Sequence, residues 1–151
     1  MNKKSELNMD CIFCDIADKT SEAEIIFENN NFIAFLDINP VNYGHTLVIP
    51  KKHYDNFLTI PASELEELVK LTQYLSGAIK RALKADGFNV ISNNGTTAGQ
   101  SVFHFHFHII PRFENDFHMR PRTIEYNDSE IEIYANKIKE SISKYEGLLN
   151  G

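Results

Sequence analysis

Three histidines alternate with phenylalanine in the segment His104-Phe105-His106-Phe107-His108. In an extended strand alternate side chains point to the same face, so the three imidazoles would share one face of a strand. Imidazoles this close lower one another's pKa by like-charge repulsion, which keeps them largely neutral near pH 7. A neutral imidazole can act as a nucleophile, a proton shuttle or a metal ligand. The alternative is a half-buried strand whose solvent-facing side happens to contain histidine.

A polar loop, residues 93–100, precedes the histidines directly. Gly99 and its neighbours tolerate positive φ and can present consecutive backbone N–H groups to an anion. Gln100 and Ser101 add side-chain donors. An ordinary β-turn would have a similar composition. Next to three histidines on one face, however, the loop predicts a phosphate site beside a nucleophile.

Two cysteines form the motif Cys11-x-x-Cys14. This spacing suits half of a tetrahedral zinc site that histidines from elsewhere complete, and His53 and His104 are the candidates. A redox disulfide and two free structural thiols are the competing interpretations, and the spacing alone does not decide among them.

Two further polar residues lie at strand boundaries. Asp37 ends an apolar segment, where it is either an exposed carboxylate or an acceptor for two sugar hydroxyls. His45 follows Gly44 at a predicted loop-to-strand junction, a position from which a side chain can point into a cleft.

Composition narrows the class of protein. The chain has 151 residues, 42% hydrophobic and 24% charged, which is typical of one globular domain. The net charge of −6 argues against a nucleic-acid polymer as partner, although backbone N–H groups could still hold a small phosphorylated ligand. We see no apolar run of membrane-spanning length and no signal peptide, so we expect a cytoplasmic protein with no membrane partner.

Periodicity predicts the elements that position these residues. Short apolar runs bounded by turn residues predict strands over 24–28, 32–36, 46–49, 88–92 and 101–110. Residues 12–16 predict one or two helical turns. Ser63 and Glu66 form a capping box that would start a long helix. Its apolar stripe either packs on a sheet or pairs with a second copy; its members are Leu65, Leu68, Thr72, Leu75, Ile79 and Ala82.

A second amphipathic helix is predicted over 128–145, with Ile131, Tyr134, Ile138 and Ile142 as its stripe. Strands on both sides of one central helix favour an α+β fold with about five largely antiparallel strands. We expect residues 1–10 to be a flexible N-terminus and residues 11–151 to form a single domain that includes the C-terminal helix.

The segment 99–110 resembles the signature of the histidine triad (HIT) family, His-φ-His-φ-His-φ-φ with φ apolar. The resemblance covers roughly residues 11–112, and its supporting matches are Cys11-Ile12-Phe13-Cys14, Phe35-Leu36-Asp37, Gly44-His45-Thr46-Leu47-Val48-Ile49-Pro50-Lys51 and Asn93-Asn94-Gly95. The chain is similar to the bacterial-type, nucleoside phosphoramidase-like branch with a Cys-x-x-Cys zinc motif. This resemblance implies a HIT-like fold, usually a homodimer, that cleaves purine nucleoside phosphoramidates at the α-phosphate and releases AMP or GMP.

The resemblance also implies roles for individual residues. His106 would be the nucleophile, and the remaining catalytic residues would be His104, His108, His45 and Ser101. The implied nucleotide-binding positions are Ile12, Phe13, Ile16, Phe35, Asp37, Ile38, Leu47, Asn93, Gly99, Gln100, Ser101, His106 and His108. A structural Zn²⁺ would be held by Cys11, Cys14, His53 and His104, with no catalytic cofactor.

The chemistry of the residues agrees with this mechanism. His106 needs one ring nitrogen protonated and held, for example by a carbonyl, so that the other can attack phosphorus. An amine leaving group must be protonated, by His108 or by a donor that Ser101 assists. The alternatives are a dinucleoside polyphosphate hydrolase, a non-catalytic nucleotide-binding scaffold and a zinc-dependent interaction module.

Overall fold

A computed structural model of the chain describes residues 10–116 and 121–145. The chain divides into two compact units, Met1–Asp116 and Phe117–Gly151. In its described part, the first contains three segments of helix and five strands: α1 (Ile12–Ala17), β1 (Ile25–Glu28), β2 (Phe32–Leu36), β3 (Thr46–Pro50), α2 (Ala62–Leu83), β4 (Gly87–Ile91), a 3-10 turn (Thr96–Ala98) and β5 (Phe107–Arg112). The second contains α3 (Glu130–Tyr145). Apart from Asp10, the predicted flexible N-terminus lies outside the described residues.

The five strands form one antiparallel sheet in the order β1-β2-β3-β5-β4, which confirms the predicted α+β fold. The central strands β2 and β3 are uninterrupted apolar runs because both of their faces are covered. Alternate residues of β2 and β3 pack against α2 on one face, with Leu68 and Leu75 in the core. The other alternate residues pack against α1, with Phe13 and Ile16 in a second core.

The long helix α2 lies in the predicted place but starts differently. Pro61 is its N-cap and the helix begins at Ala62, so Ser63 lies inside the first turn and the predicted capping box is wrong. The fixed φ of proline already suits the start of a helix. Glu66 pairs with Lys70 instead. The predicted stripe packs on the sheet through Leu68, Thr72 and Leu75, whereas Ala82 at its end is exposed.

The histidine segment is a strand over less of its length than predicted. β5 starts at Phe107, and the preceding chain leaves the ladder, since the Phe105 N–H donates to the Tyr54 carbonyl oxygen over 2.6 Å. The predicted division into two faces nevertheless holds. Phe105 packs in the core beside α2. His104 and His106 both lie on the α1 side, at ring distances of 6.0 and 5.2 Å from Phe13.

The helix α3 confirms the predicted C-terminal helix, although it starts at Glu130 rather than Asp128. Its four stripe residues are between 50% and 63% exposed; they are Ile131, Tyr134, Ile138 and Ile142. Among the described residues, no helix is both long and apolar enough to cross a membrane.

Candidate active site and metal centre

Four thiol and imidazole side chains converge beside α1, and we name them the metal cluster: Cys11, Cys14, His53 and His104. Their ligand atoms all lie within 4.8 Å of one another. His104 Nδ1 is 3.4 Å from Cys11 Sγ and 3.5 Å from Cys14 Sγ, and His53 Nδ1 is 3.4 Å from Cys14 Sγ. The short helix α1, the loop after β3 and the segment before β5 therefore meet at one point.

The hydrogen bonds of the two cluster imidazoles fix where their protons lie. His104 Nε2–H donates to the Pro50 carbonyl oxygen over 2.7 Å, and His53 Nε2–H donates to Asp55 Oδ1 over 3.0 Å. Each Nδ1 therefore points a lone pair at the cysteine sulfurs. Burial lowers the pKa of His104 to about 4, so its ring is neutral. Two cysteine sulfurs and two imidazole nitrogens, with both rings held by their outer nitrogens, are a donor set that fits a structural Zn²⁺.

His106 is buried between the metal cluster and the remaining histidines. Its Nδ1–H donates to the His104 carbonyl oxygen over 2.7 Å, which leaves a lone pair on Nε2. Burial is the main cause that lowers the pKa of His106, and the hydrogen bond to His104 opposes it. The ring stands edge-on to Phe13 and contacts the His108 ring, with centroids 5.2 and 4.7 Å away. A neutral imidazole held by a carbonyl has the form that a nitrogen nucleophile requires.

A second group of titratable side chains lies beside His106, and we name it the relay cluster: Asp37, His45 and His108. The Val41 backbone N–H donates to His45 Nδ1 over 3.0 Å, so the proton of a neutral His45 lies on Nε2. His45 Nε2 is 2.8 Å from His108 Nδ1 and 3.7 Å from Asp37 Oδ2. His108 Nδ1 therefore accepts, and the proton of His108 lies on its Nε2.

The pKa of both relay imidazoles is lowered; the sequence predicted this for His108, but the main cause differs from the predicted one. Burial is the largest cause for His108, whose pKa falls to about 4, and repulsion by His106 and His45 comes after it. Burial also dominates for His45, with the Asp37 carboxylate opposing. Removal from water, rather than mutual repulsion, therefore keeps these rings neutral.

The loop before the histidines uses most of its predicted phosphate donors internally. The Gln100 carboxamide accepts from the Gly95 N–H and donates to the Asp55 and Val102 carbonyl oxygens. The backbone N–H groups of Gly99 and Gln100 close the loop onto Thr96 and Gly95. The Gln100 side chain and N–H therefore hold the loop in shape in this structure, and Gln100 stays a predicted phosphate contact.

Two other predicted phosphate contacts keep their side chains accessible. Ser101 is exposed, and its hydroxyl makes no hydrogen bond within the part of the chain that the structure describes. Asn93 is partly buried at the entrance of the loop. Both remain predicted phosphate contacts.

The predicted base-pocket residues fall into two groups. Phe13, Ile16, Phe35 and Leu47 are buried together in the core beside α1, with Phe13 and Phe35 rings 5.5 Å apart. Ile12 is 47% exposed and Ile38 is 88% exposed, so these two offer accessible apolar surface. All six stay predicted base-pocket positions, of which only the exposed pair offers a large accessible apolar surface.

Three functional groups escaped the sequence reasoning. Asp55 holds His53 through its side chain and Gln100 through its carbonyl, and its position two residues after a candidate ligand was a usable signal. The Pro50 carbonyl and the Val41 N–H are backbone groups, for which side-chain types give no signal.

Comparison with known proteins identifies relatives over most of the chain. The HIT domain profile matches residues 18–115. An uncharacterized HIT-like protein of Methanocaldococcus jannaschii is 49% identical over 106 residues, covering 70% of this chain and 81% of the relative. The adenylylsulfatase HINT3 of Arabidopsis thaliana is 33% identical over 143 residues, covering 95% and 73%.

Solved structures show the same architecture. A Streptococcus mutans protein matches with a TM-score of 0.84 at 36% identity, covering 94% of this chain and 91% of that one. A Zn-bound histidine triad family protein of Mycobacterium smegmatis matches with a TM-score of 0.70 at 37% identity, covering 78% and 85%. With its histidine segment, strand order and matching profile, the chain belongs to the HIT domain family.

Proposed function

We propose that this protein is a nucleotide hydrolase or transferase in which His106 Nε2 attacks the α-phosphorus of a nucleotide. The bond from phosphorus to the leaving group breaks, and a nucleotidyl-histidine forms. Water then hydrolyses this intermediate and releases the mononucleotide. The bond from His106 Nδ1–H to the His104 carbonyl supports this proposal most strongly, because it leaves Nε2 with a free lone pair.

The substrates that we propose are purine nucleoside phosphoramidates, cleaved to AMP or GMP. An amine leaves phosphorus only after it gains a proton, and His108 has the appropriate form because its proton lies on Nε2. Asp37 is the proposed acceptor for the ribose hydroxyls, and Ser101 the donor to the phosphate. The relative named as an adenylylsulfatase supports transfer of an adenylyl group to water in this family.

The metal cluster is proposed to hold a structural Zn²⁺ through Cys11, Cys14, His53 and His104. When bound, zinc would crosslink α1 to the segments around β3 and β5 in a structural role. Two thiolates in this role suit a reducing compartment, and we propose a cytoplasmic location for that reason.

We further propose a homodimer formed through α2 and the edge strand β4. An apolar groove of about 320 Å³ lies between them, lined by Val69, Thr72, Gln73, Ser76, Phe88, Val90 and Phe107. Val69, Phe88 and Val90 are each 43–47% exposed. A cluster of exposed apolar side chains is typical of a surface that a partner covers. A sedimentation experiment that gave a monomer would exclude this assembly.

Hydrolysis of adenosine 5′-phosphoramidate by wild-type protein and His106→Ala tests the proposed function. We expect wild-type turnover, a loss of several orders of magnitude in the variant, and AMP binding retained by both. Intact-mass measurement should detect an adenylyl adduct on wild-type protein and none on the variant. Turnover of diadenosine tetraphosphate alone would identify a polyphosphate hydrolase, and AMP binding without any turnover would favour the scaffold.

A further inference from the structure

A single backbone donor decides the protonation pattern of the relay cluster. The Val41 N–H points to His45 Nδ1, and this forces the His45 proton to Nε2 and the His108 proton to its own Nε2. If this N–H moved away, His45 could exchange tautomers, and His108 would no longer hold its proton on one defined nitrogen. The position of the Val41 N–H therefore determines, through His45, which ring nitrogen of His108 holds the proton.

Val41 lies in the irregular loop between β2 and β3, so no sheet ladder holds its amide. Its neighbour Asn42 anchors that loop. Asn42 Nδ2 donates to Asp116 Oδ2 over 2.8 Å and to the Pro111 carbonyl oxygen over 3.3 Å. The Asn42 carbonyl also accepts from the His45 N–H over 3.1 Å.

Asp116 connects this anchor to the strand that contains His108. Its Oδ2 also accepts from Arg112 Nε over 2.7 Å, and its side chain is only 10% exposed. Arg112 is the last residue of β5. The loop that presents the Val41 N–H and the strand that presents His108 are thus joined through one part-buried carboxylate oxygen.

We infer that Asn42 and Asp116 are positioning residues that keep the proton of His108 on Nε2. The inference rests on the proposed function, in which His108 protonates the leaving group. Neither residue touches the reacting atoms: both act through Val41 and His45. The Asn42 carboxamide and the Asp116 carboxylate suit this task, because an ionised carboxylate can only accept. The direction of the hydrogen bond between them is therefore fixed.

Asn42→Asp tests the inference with almost no change in size. It replaces the donating NH₂ by a carboxylate oxygen next to Asp116, so the anchor becomes a repulsive pair. Asn39→Asp is the matched control, because Asn39 lies in the same loop, is exposed, and has no side-chain hydrogen bond within the described part of the chain.

Long-range ¹⁵N–¹H NMR of the imidazoles gives a readout that is independent of turnover. We expect Nε2–H tautomers of His45 and His108 in wild-type protein and Asn39→Asp, and a tautomer mixture in Asn42→Asp. Kinetically, Asn42→Asp should lower kcat for a phosphoramidate on the order of tenfold to a hundredfold while KM stays nearly constant. A nucleotide ester with a phenolate leaving group, which needs no proton, should be unaffected.

Unchanged tautomers and kinetics in Asn42→Asp, matching Asn39→Asp, would overturn the inference. Failure of the proposed function would look different, because wild-type protein would then turn over neither substrate. The NMR shift in Asn42→Asp would still decide whether Asn42 and Asp116 set the tautomers.

Discussion

The metal cluster and the relay cluster contain similar residues and lie on either side of His106, yet they suit opposite tasks. Both bring metal-ligand atoms within 4.8 Å of one another. In the metal cluster the outer nitrogens of His53 and His104 donate to oxygen, so both inner lone pairs face sulfur. In the relay cluster a backbone N–H occupies His45 Nδ1, so a proton lies between the imidazoles. The two cysteines and the hydrogen bonds to the imidazole nitrogens together distinguish the proposed metal site from the proposed proton site.

The largest expected effect is on zinc content. Cys14→Ala removes one of four proposed ligands and should weaken zinc binding by more than about a hundredfold. Wild-type protein should retain one zinc per chain after dialysis against a weak chelator, measured by atomic emission. His108→Gln, which changes the relay cluster instead, should retain the same zinc content. Loss of zinc from that variant would show that the relay cluster also contributes to zinc binding.

The next largest effect is on the proton donor. His108→Gln should lower kcat for a phosphoramidate by about 10²- to 10⁴-fold, because the leaving amine loses its acid. The substrate with a phenolate leaving group should respond far less in the same steady-state assay. An equal loss on both substrates would assign His108 to phosphate binding alone.

A smaller effect should follow from the outer hydrogen bond of the metal cluster. Asp55→Asn weakens the acceptor for His53 Nε2–H while it keeps the backbone carbonyl that binds Gln100. We expect about ten- to a hundredfold weaker zinc binding in a chelator competition. Asp15→Asn is the control: it changes an exposed carboxylate of α1 and should leave the zinc affinity unchanged.

The smallest effect concerns acid stability. The folded-state pKa of His108 is about 4, below its ordinary value of 6.5, so the unfolded chain binds more protons between these values. The contribution of His108 to the free energy of unfolding is fully present above pH 6.5 and should be lost progressively as the pH falls towards 4. The free energy of unfolding of His108→Gln, from urea titrations at several pH values, should decline less steeply than that of wild-type protein. Parallel declines would contradict this assignment.

Sequence reasoning reached the fold and the side chains of both clusters, because apolar runs and ligand types are visible in residue identity. It predicted the metal-cluster set from the Cys-x-x-Cys spacing and the family resemblance, and the structure brings those four residues together. It missed what backbone groups do. Nothing in the residue types of the loop before β3 indicates that the Val41 N–H selects a tautomer.

The prediction of a strand over all of residues 101–110 was wrong for a related reason. Alternation of histidine and phenylalanine describes which face each side chain occupies, and that part was confirmed by the packing of Phe105. It does not reveal that Phe105 N–H bonds to Tyr54 rather than to a neighbouring strand. Likewise, the composition of the loop before it does not reveal that Gln100 is used internally.

The two edge strands of the sheet, β1 and β4, differ in how well they are protected against pairing with a strand of another molecule. At β1 the register with β2 shifts between Ile25 and Phe27, and Glu28 forms ion pairs there with two lysines. Irregularity and charge of this kind discourage a foreign strand. At β4 the register is regular and Phe88 and Val90 are exposed. A variant designed to disrupt the proposed dimer would therefore also need a new charge on β4, for instance Val90→Lys, to block pairing with a foreign strand.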